Sequence, residues 1–513
     1  MIIKNIVIVG GGTAGWATAH HFLNKTSDDT KITVVASKEI PIIGVGESTT
    51  GRFNDLINLT DNITGLNERE FFKETDSTFK LGIKHTDWHT KGESFYSPIG
   101  DNYSNHYKFP HEDYDNYRIY HIADNKDYSK TFQSRLMAEN KLHFFDNDKS
   151  DIYDKVKHIP VAYHLDTYKV GQYLKRKAIN LSKCKYIDDQ VIDFKQDEKG
   201  FVKSLKTKKG KTIKGDLFID CTGFAKVLID KVEKNDWISY EDGLLVNSAL
   251  NFNYQLEEDE EIKTYTHAWA QKYGWCWEIP TQKRMGCGYV FSDQFTDFDK
   301  AHDEISKKMK RKIDVQRQIK FKTGRLSKFW CKNVLSTGLS SAFIEPLEAT
   351  SIHATIMQVT HFIENYFKSD MPFECELLHE QYNIEMGDMW DNIRDFIVFH
   401  YITPRKDTEF WKESAKPDKW SKRLTKLMGL WKHRMPREID YVSDKANNFY
   451  SIGNTLWYQI AIGMKLLDPK LAKQELVNYN LYDESKNLYK NITNNIKLSI
   501  PKMIKTNEYY KNL

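Results

Sequence analysis

A chain of 513 residues, 40% hydrophobic and 28% charged, with no long Gly/Ser or Gln/Asn tract, is large enough for a sizeable core and excludes a disordered or low-complexity protein. Its 75 basic and 71 acidic residues are spread along the chain and leave a formal net charge of +4, too weak a field to gather nucleic acid. The six cysteines form no CxxC pair and no stretch nears the roughly 18 apolar residues of a membrane span, so neither a disulfide framework, a zinc site nor a membrane protein is expected, and the cytoplasm is the default location.

In chain order, residues 2–9 (IIKNIVIV) are a β-branched run stopped by Gly10, and the GGTAGWATAHHFL that follows has helical spacing. Ile32 to Val35 then complete a βαβ unit. Gly10-x-Gly12-x-x-Gly15 therefore sits between strand and helix, the context that gives a dinucleotide fingerprint its meaning. Gly10 permits the turn, Gly12 lets a pyrophosphate approach, and Gly15 lets helix pack on strand. A ribose-binding acid belongs at the end of the second strand, yet the sequence there reads Val35-Ala36-Ser37-Lys38-Glu39, which leaves Ser37 or Glu39 to take its place. Only one fingerprint of this kind occurs, which points to a separate reductase.

Further on, Asp216 to Asp220 and Val334 to Ser336 repeat the pattern of a short buried strand leading to Thr-Gly, at Thr222-Gly223 and Thr337-Gly338, as if one sheet were revisited. The stretches 79–110 and 245–295 are aromatic and alternate as antiparallel strands do, predicting a second layer over the cofactor. From Thr350 to about residue 400, and again from about 450, the pattern is helical. The basic run Lys307 to Lys312 and the acidic run Glu257 to Glu261 read as solvated surface.

Beyond the fingerprint the chain carries GVGEST at 44–49, FKLGIK at 79–84, GWCWEIP at 274–280, GLSSAFIEPLEATS at 338–351 and RDFIVFHYITPRKDTEFW at 394–411. In this order and spacing it resembles the flavin-dependent tryptophan halogenase family over most of residues 1–465, with the WxWxIP element the most specific mark. The resemblance implies an α/β, FAD-binding Rossmann-like fold of the GR2 type with antiparallel β insertions and a mostly helical C-terminal region. The FAD-binding region would span 1–360, with substrate-site insertions at about 61–155 and 245–325, and residues 361–513 would complete the substrate site.

The resemblance also implies chemistry. FADH2, supplied by a separate flavin reductase, and O2 would oxidise halide to hypohalous acid, which travels to a lysine beside an electron-rich aromatic substrate. That lysine is Lys80. Alternation along one strand would put Phe79, Leu81 and Ile83 on one face and Lys80, Gly82 and Lys84 on the other, where the ammonium could polarise a hypohalous acid or the amine form a haloamine. Read without the family, these are two solvated lysines. Glu348 would assist at the ring by stabilising the cationic intermediate or taking its proton; its plain alternative is an acid at a helix N-terminus. Thr350 and Ser351 would hold halide through backbone amides, although the family has glycine at the position of Ser351.

FAD would be held by Gly10, Gly12, Thr13, Ala14, Gly15, Ser37, Val191, Gly223, Leu339 and Ile352, and by Val45, Gly46 and Glu47 of a strap. Trp275 and Trp277 would wall the flavin off from substrate. No metal is implied. The substrate positions align with Ser97, Ile99 and Tyr450, a depleted aromatic sandwich that argues against free tryptophan and for a phenol, indole or other electron-rich ring. Two other readings stay open: a flavin monooxygenase that hydroxylates an aromatic ring, and a non-catalytic FAD-binding protein. A homo-oligomer is equally open.

Overall fold

A computed structural model describes residues 2–41, 47–57, 66–99, 111–126, 131–145, 160–441 and 452–513. The opening run forms strand β1 (Asn5–Val9), the glycine turn leads into helix α1 (Thr13–Lys25), and β2 (Lys31–Ala36) pairs with β1 in parallel. The strand Leu217–Asp220 lies on the other side of β1, and Val334–Ser336 lies beyond it, both parallel. Cys184–Asp188 and Trp330–Cys331 close the two edges of this six-stranded sheet. The sheet is thus revisited as the repeated strand-to-glycine pattern predicts. Because the strands run the same way, their ends bring Gly10, Gly223 and Gly338 to one edge. The interior strands are apolar at most positions because helices cover one face and the sheet 191–196, 202–207 and 212–214 packs on the other.

The insertions build the expected second layer. A seven-stranded sheet runs in the order Val315–Lys320, Ser248–Gln255, Arg284–Phe291, Gly274–Pro280, Tyr265–Ala270, β5 (Gly82–Thr86) and β6 (Ser94–Pro98). Every pair is antiparallel except β5 with Tyr265–Ala270. Two short strands, β3 (Glu47–Ser48) and β4 (Thr78–Lys80), flank Ala162–Leu165 in a separate sheet.

Here the structure corrects the sequence reading. Residues 79–84 are not one alternating strand: the chain changes sheets at Leu81, whose amide bonds Thr264 O at 2.7 Å while its carbonyl accepts from Ile99. Phe79 through Ile83 are all buried, and only Lys84 keeps partial exposure, over the rings of Tyr96 and Tyr265.

The last third is mostly helical. Its longest helix, Glu376–His400, buries Met386, Trp390, Ile393, Phe396 and Phe399 and delivers its final residue to the interior. Near the C-terminus, Met503–Lys505 pairs with Lys141–Phe145, and the Tyr510 hydroxyl accepts the Phe79 amide at 2.6 Å, bracing β4. One apolar cluster reaches from Ile3 to Met503, so the helical region and the cofactor sheet share a core. Among the described residues no helix is long and apolar enough to cross a membrane.

Candidate active site

A cavity of about 770 Å³ opens at the sheet edge and is lined by Gly10, Gly12, Thr13, Ala14, Ser37, Val191, Gly223, Leu339 and Ile352. All of these are expected cofactor positions. Gly10 has φ +118°, and a Cβ there would lie 2.2 Å from Cys221 O, so the turn demands glycine. Gly15 lies outside the lining and packs on the Gly10 carbonyl, the helix-on-strand contact its position implies. Gly12 is the N-cap of helix α1 and offers no side-chain cap, the first turn holds no acid, and the buried Thr13 hydroxyl has no partner among the described residues. Unpaired donors beside a glycine cradle suit a pyrophosphate, so these residues fit FAD.

At the ribose end, the Ser37 hydroxyl accepts the Glu39 amide, and Glu39 itself points away to Lys208. Ser37 therefore lines the cavity and Glu39 does not. On the neighbouring strand Asp188 is directly opposite Ala36 but is turned to Lys38, whose amide it accepts at 3.0 Å, and of these two successive acids it is Asp189 that lines the cavity. Val45, Gly46, Tyr450 and the side chain of Glu47 lie outside the described residues.

Lys80 is buried, at 1% exposure, and is not a solvated surface lysine. Its Nζ donates to Ser48 Oγ at 2.8 Å and Thr49 O at 3.0 Å. Burial pushes its ammonium down to about 8 from 10.5, against the opposing pull of Glu348. Ser48 also lines the cofactor cavity, so the lysine sits one hydrogen bond from it.

Glu348 ends the short turn Pro346–Glu348 just before the helix Thr350–Asn365. It does not cap that helix: its Oε1 lies 2.9 Å from His400 Nε2 and 3.7 Å from His85 Nε2. His85 is stacked on Phe95 with ring centroids 4.7 Å apart, and its Nε2 is 3.3 Å from Ser97 Oγ. Burial drives its imidazole well below the usual range, so it is neutral. His85, Glu348 and His400 bring three ligand-type atoms within 4.8 Å of one another, a grouping the sequence reading did not contain.

The two tryptophans lie on one face of their strand, with ring centroids 6.1 Å apart, and differ in what they touch. Trp277 lines the cavity; Trp275 does not and donates its indole N–H to Glu345 Oε1 at 3.0 Å. Tyr401 donates to the same oxygen at 2.6 Å. Burial raises the Glu345 carboxyl to about 7 despite both donors. Opposite Trp277 stands Gly288, where a Cβ would lie 2.0 Å from the indole.

Thr350 and Ser351 open an α-helix whose N-cap, Ala349, has φ +55° and offers no side-chain cap. Ser351 is in regular helix, so the backbone takes a side chain where the family has glycine. Ser351 lines the cavity, and the buried Thr350 hydroxyl has no partner among the described residues. Of the substrate positions, Ser97 is buried beside His85, while Ile99 is half-buried and faces the Gly51 turn.

Comparison with known proteins agrees with this geometry. Residues 5–477 match the tryptophan halogenase family. The chain belongs to the tryptophan halogenase family. It is 32% identical over 428 residues to a tryptophan 6-halogenase of Streptomyces albogriseolus, covering 80% of this chain and 78% of that protein. It is 31% identical to a tryptophan 7-halogenase of Lentzea aerocolonigenes, with the same coverage. Among solved structures it superposes on a tryptophan 6-halogenase of Streptomyces toxytricini with TM-score 0.85 at 25% identity, over 99% of this chain and all of that one. It also superposes on a flavin-dependent halogenase from Brevundimonas sp. BAL3 with TM-score 0.81 at 25% identity, over 99% of each chain.

The protein is therefore a flavin-dependent halogenase of aromatic substrates. Of the residues expected from the sequence of this halogenase, Trp277 lines the cavity, Lys80 bonds Ser48 at its edge, and Glu348 and Ser97 both neighbour His85; His85, His400, Glu345, Tyr401 and Gly288, which pack on these side chains, were not singled out. His400 and Tyr401 lie inside the RDFIVFHYITPRKDTEFW motif and Glu345 inside EPLE, so the motif marked them without a role. His85 and Gly288 left no signal, because the neighbours they touch, Glu348 and Phe95 for one and Trp277 for the other, are supplied by the tertiary structure.

Proposed function

We propose a two-component halogenase in the cytoplasm, receiving FADH2 from a separate reductase and using O2 as oxidant. The single observation behind this reading is Lys80: a buried cation bonded to Ser48 at the cofactor cavity and within reach of the charge of Glu348. Reduced FAD, when bound by the glycine cradle, supplies the electrons with which O2 turns halide into hypohalous acid. The unpaired amides of Thr350 and Ser351 hold the halide, and Trp277 keeps organic substrate away from the oxidant.

The Lys80 ammonium then donates a hydrogen bond to the hypohalous oxygen, which makes the halogen more electrophilic. Glu348 receives the proton that the ring loses. A hydroxylase would have no use for a cation buried at this point. The substrate is an electron-rich phenol or indole rather than free tryptophan, since Ser97 and Ile99 stand at the aligned positions and His85 and Phe95 stack on each other.

Mass spectrometry of a phenol and indole panel incubated with the protein, FAD, a flavin reductase, NADH and chloride, bromide or iodide tests this. A halide-dependent mass shift, absent with Lys80→Ala, is the expected result. Oxygen insertion without halide would replace the reading with the hydroxylase.

A further inference from the structure

Glu348 is treated above as the base that accepts the ring proton, and the inference that follows rests on that reading. A buried carboxylate needs a partner, and its nearest one is His400 at 2.9 Å. The other ring nitrogen of His400, Nδ1, lies 2.8 Å from the carbonyl oxygen of Phe396. A carbonyl only accepts, so Nδ1 carries a hydrogen. In a neutral imidazole Nε2 would then be bare, facing Glu348 Oε1 with a lone pair against a lone pair. That contact requires one more proton, either on Nε2 or on the carboxyl.

Three features decide where it sits. His400 is the last residue of the helix Glu376–His400, where unpaired carbonyls favour a cation. His85 Nε2, the next nitrogen to approach Glu348 Oε1, stands 3.7 Å away, beyond hydrogen-bonding distance, so it neither supplies the missing proton nor replaces His400 as the carboxylate's direct partner. The remaining ionisable groups nearby are Glu345, tied to Tyr401 and Trp275, and Lys80, tied to Ser48 and Thr49, and none of their hydrogen bonds reaches His400.

We propose that His400 is a positioning residue that shares a proton with Glu348 as imidazolium and carboxylate, holding the carboxylate ionised and aimed at the ring. Phe396 O fixes the imidazole, and the imidazole fixes the glutamate. Halogen leaves the hypohalous oxygen as that bond's electron pair stays on oxygen, and the ring forms the new carbon–halogen bond. Breaking the ring C–H bond returns its electron pair to the ring and sends the proton to Glu348. The hydroxide left by the hypohalous acid takes that proton as water, so arene and hypohalous acid become halogenated arene and water. The imidazolium keeps its own proton throughout.

The test is NMR of the full chain carrying nitrogen-15 in the histidine rings, with His400→Gln, or His400→Asn if that variant does not fold, to identify the His400 signals. Both His400 nitrogens are expected to be protonated in the native chain near neutral pH, and Glu348→Gln is expected to return the ring to neutral with a bare Nε2. In turnover, His400→Gln should lower kcat at least about tenfold while the KM for the aromatic and the FAD dissociation constant stay within about twofold, since only the geometry and charge of the base have changed. A neutral His400 in the native chain, in either tautomer, would overturn the proposal. So would one tightly held divalent metal ion per chain in the three-residue cluster, or an unchanged kcat. The native NMR result stands whether or not any aromatic is halogenated, so failure of the halogenase reading and failure of this one are separable.

Discussion

Lys80 carries its charge where water does not reach, and that has a cost in stability. The unfolded chain holds this proton up to about 10.5 and the folded one only to about 8. Between those values the unfolded state binds more protons, so stability rises with pH across that window and the penalty is complete below it, at about 3 kcal/mol. Lys80→Met removes the charge and leaves Ser48 and Thr49 without their donor. The variant should be more stable than native at neutral pH by about 1–3 kcal/mol in urea unfolding, while halogenation falls at least about a hundredfold. A less stable variant would mean that the two hydrogen bonds outweigh desolvation. The working form also follows from this titration: an ammonium that polarises hypohalous acid predicts a rate that declines as pH rises through about 8, and a haloamine predicts the reverse. Motif and chemistry together marked Lys80 and Glu348. His400 stood in a quoted motif unassigned, because its role depends on a carbonyl one helical turn back and a carboxylate 52 residues earlier in the chain.

At the scale of elements, the Trp-x-Trp motif marks both indoles alike, and it cannot say which of them reaches the cavity. Cross-strand partners decide that. Trp277 is opposite Gly288 and settles over it toward the cavity, whereas Trp275 is opposite Val290 and turns to Glu345. Gly288→Ala would put a methyl into the indole, push Trp277 into the cavity and weaken FAD binding by at least about tenfold in a fluorescence titration. Unchanged affinity would mean that Trp277 is not seated against the flavin. The strand change at Leu81 was likewise hidden, since FKLGIK alternates well enough for one strand and the break comes from Thr264 and Ile99, far off in sequence. An acid at the ribose end was hidden in the same way: Asp189, which lines the cavity, follows a strand that reaches Ala36 only by pairing across about 150 residues of chain.

The cofactor sheet is one that the chain leaves and re-enters, and two of the returns were legible, because Leu217–Asp220 and Val334–Ser336 each lead to Thr-Gly, whereas the edge strands Cys184–Asp188 and Trp330–Cys331 carry no such mark. The molecule's helical third was legible as helix and not as placement; nothing in its periodicity says that the helix Glu376–His400 ends against Glu348 or that Tyr510 braces β4. The proposed function divides two tasks between two places: halide oxidation at the glycine-lined cavity, and ring halogenation beyond Ser48, where Lys80 and Glu348 stand. The most direct test of that separation is to supply Lys80→Ala with FADH2, O2 and halide and to measure, in one reaction, hypohalous acid caught by a thiol trap and halogenation of the aromatic substrate. The account predicts trapped hypohalous acid close to the native amount and almost no halogenated arene. Arene halogenated at the native rate, or no hypohalous acid at all, would contradict it.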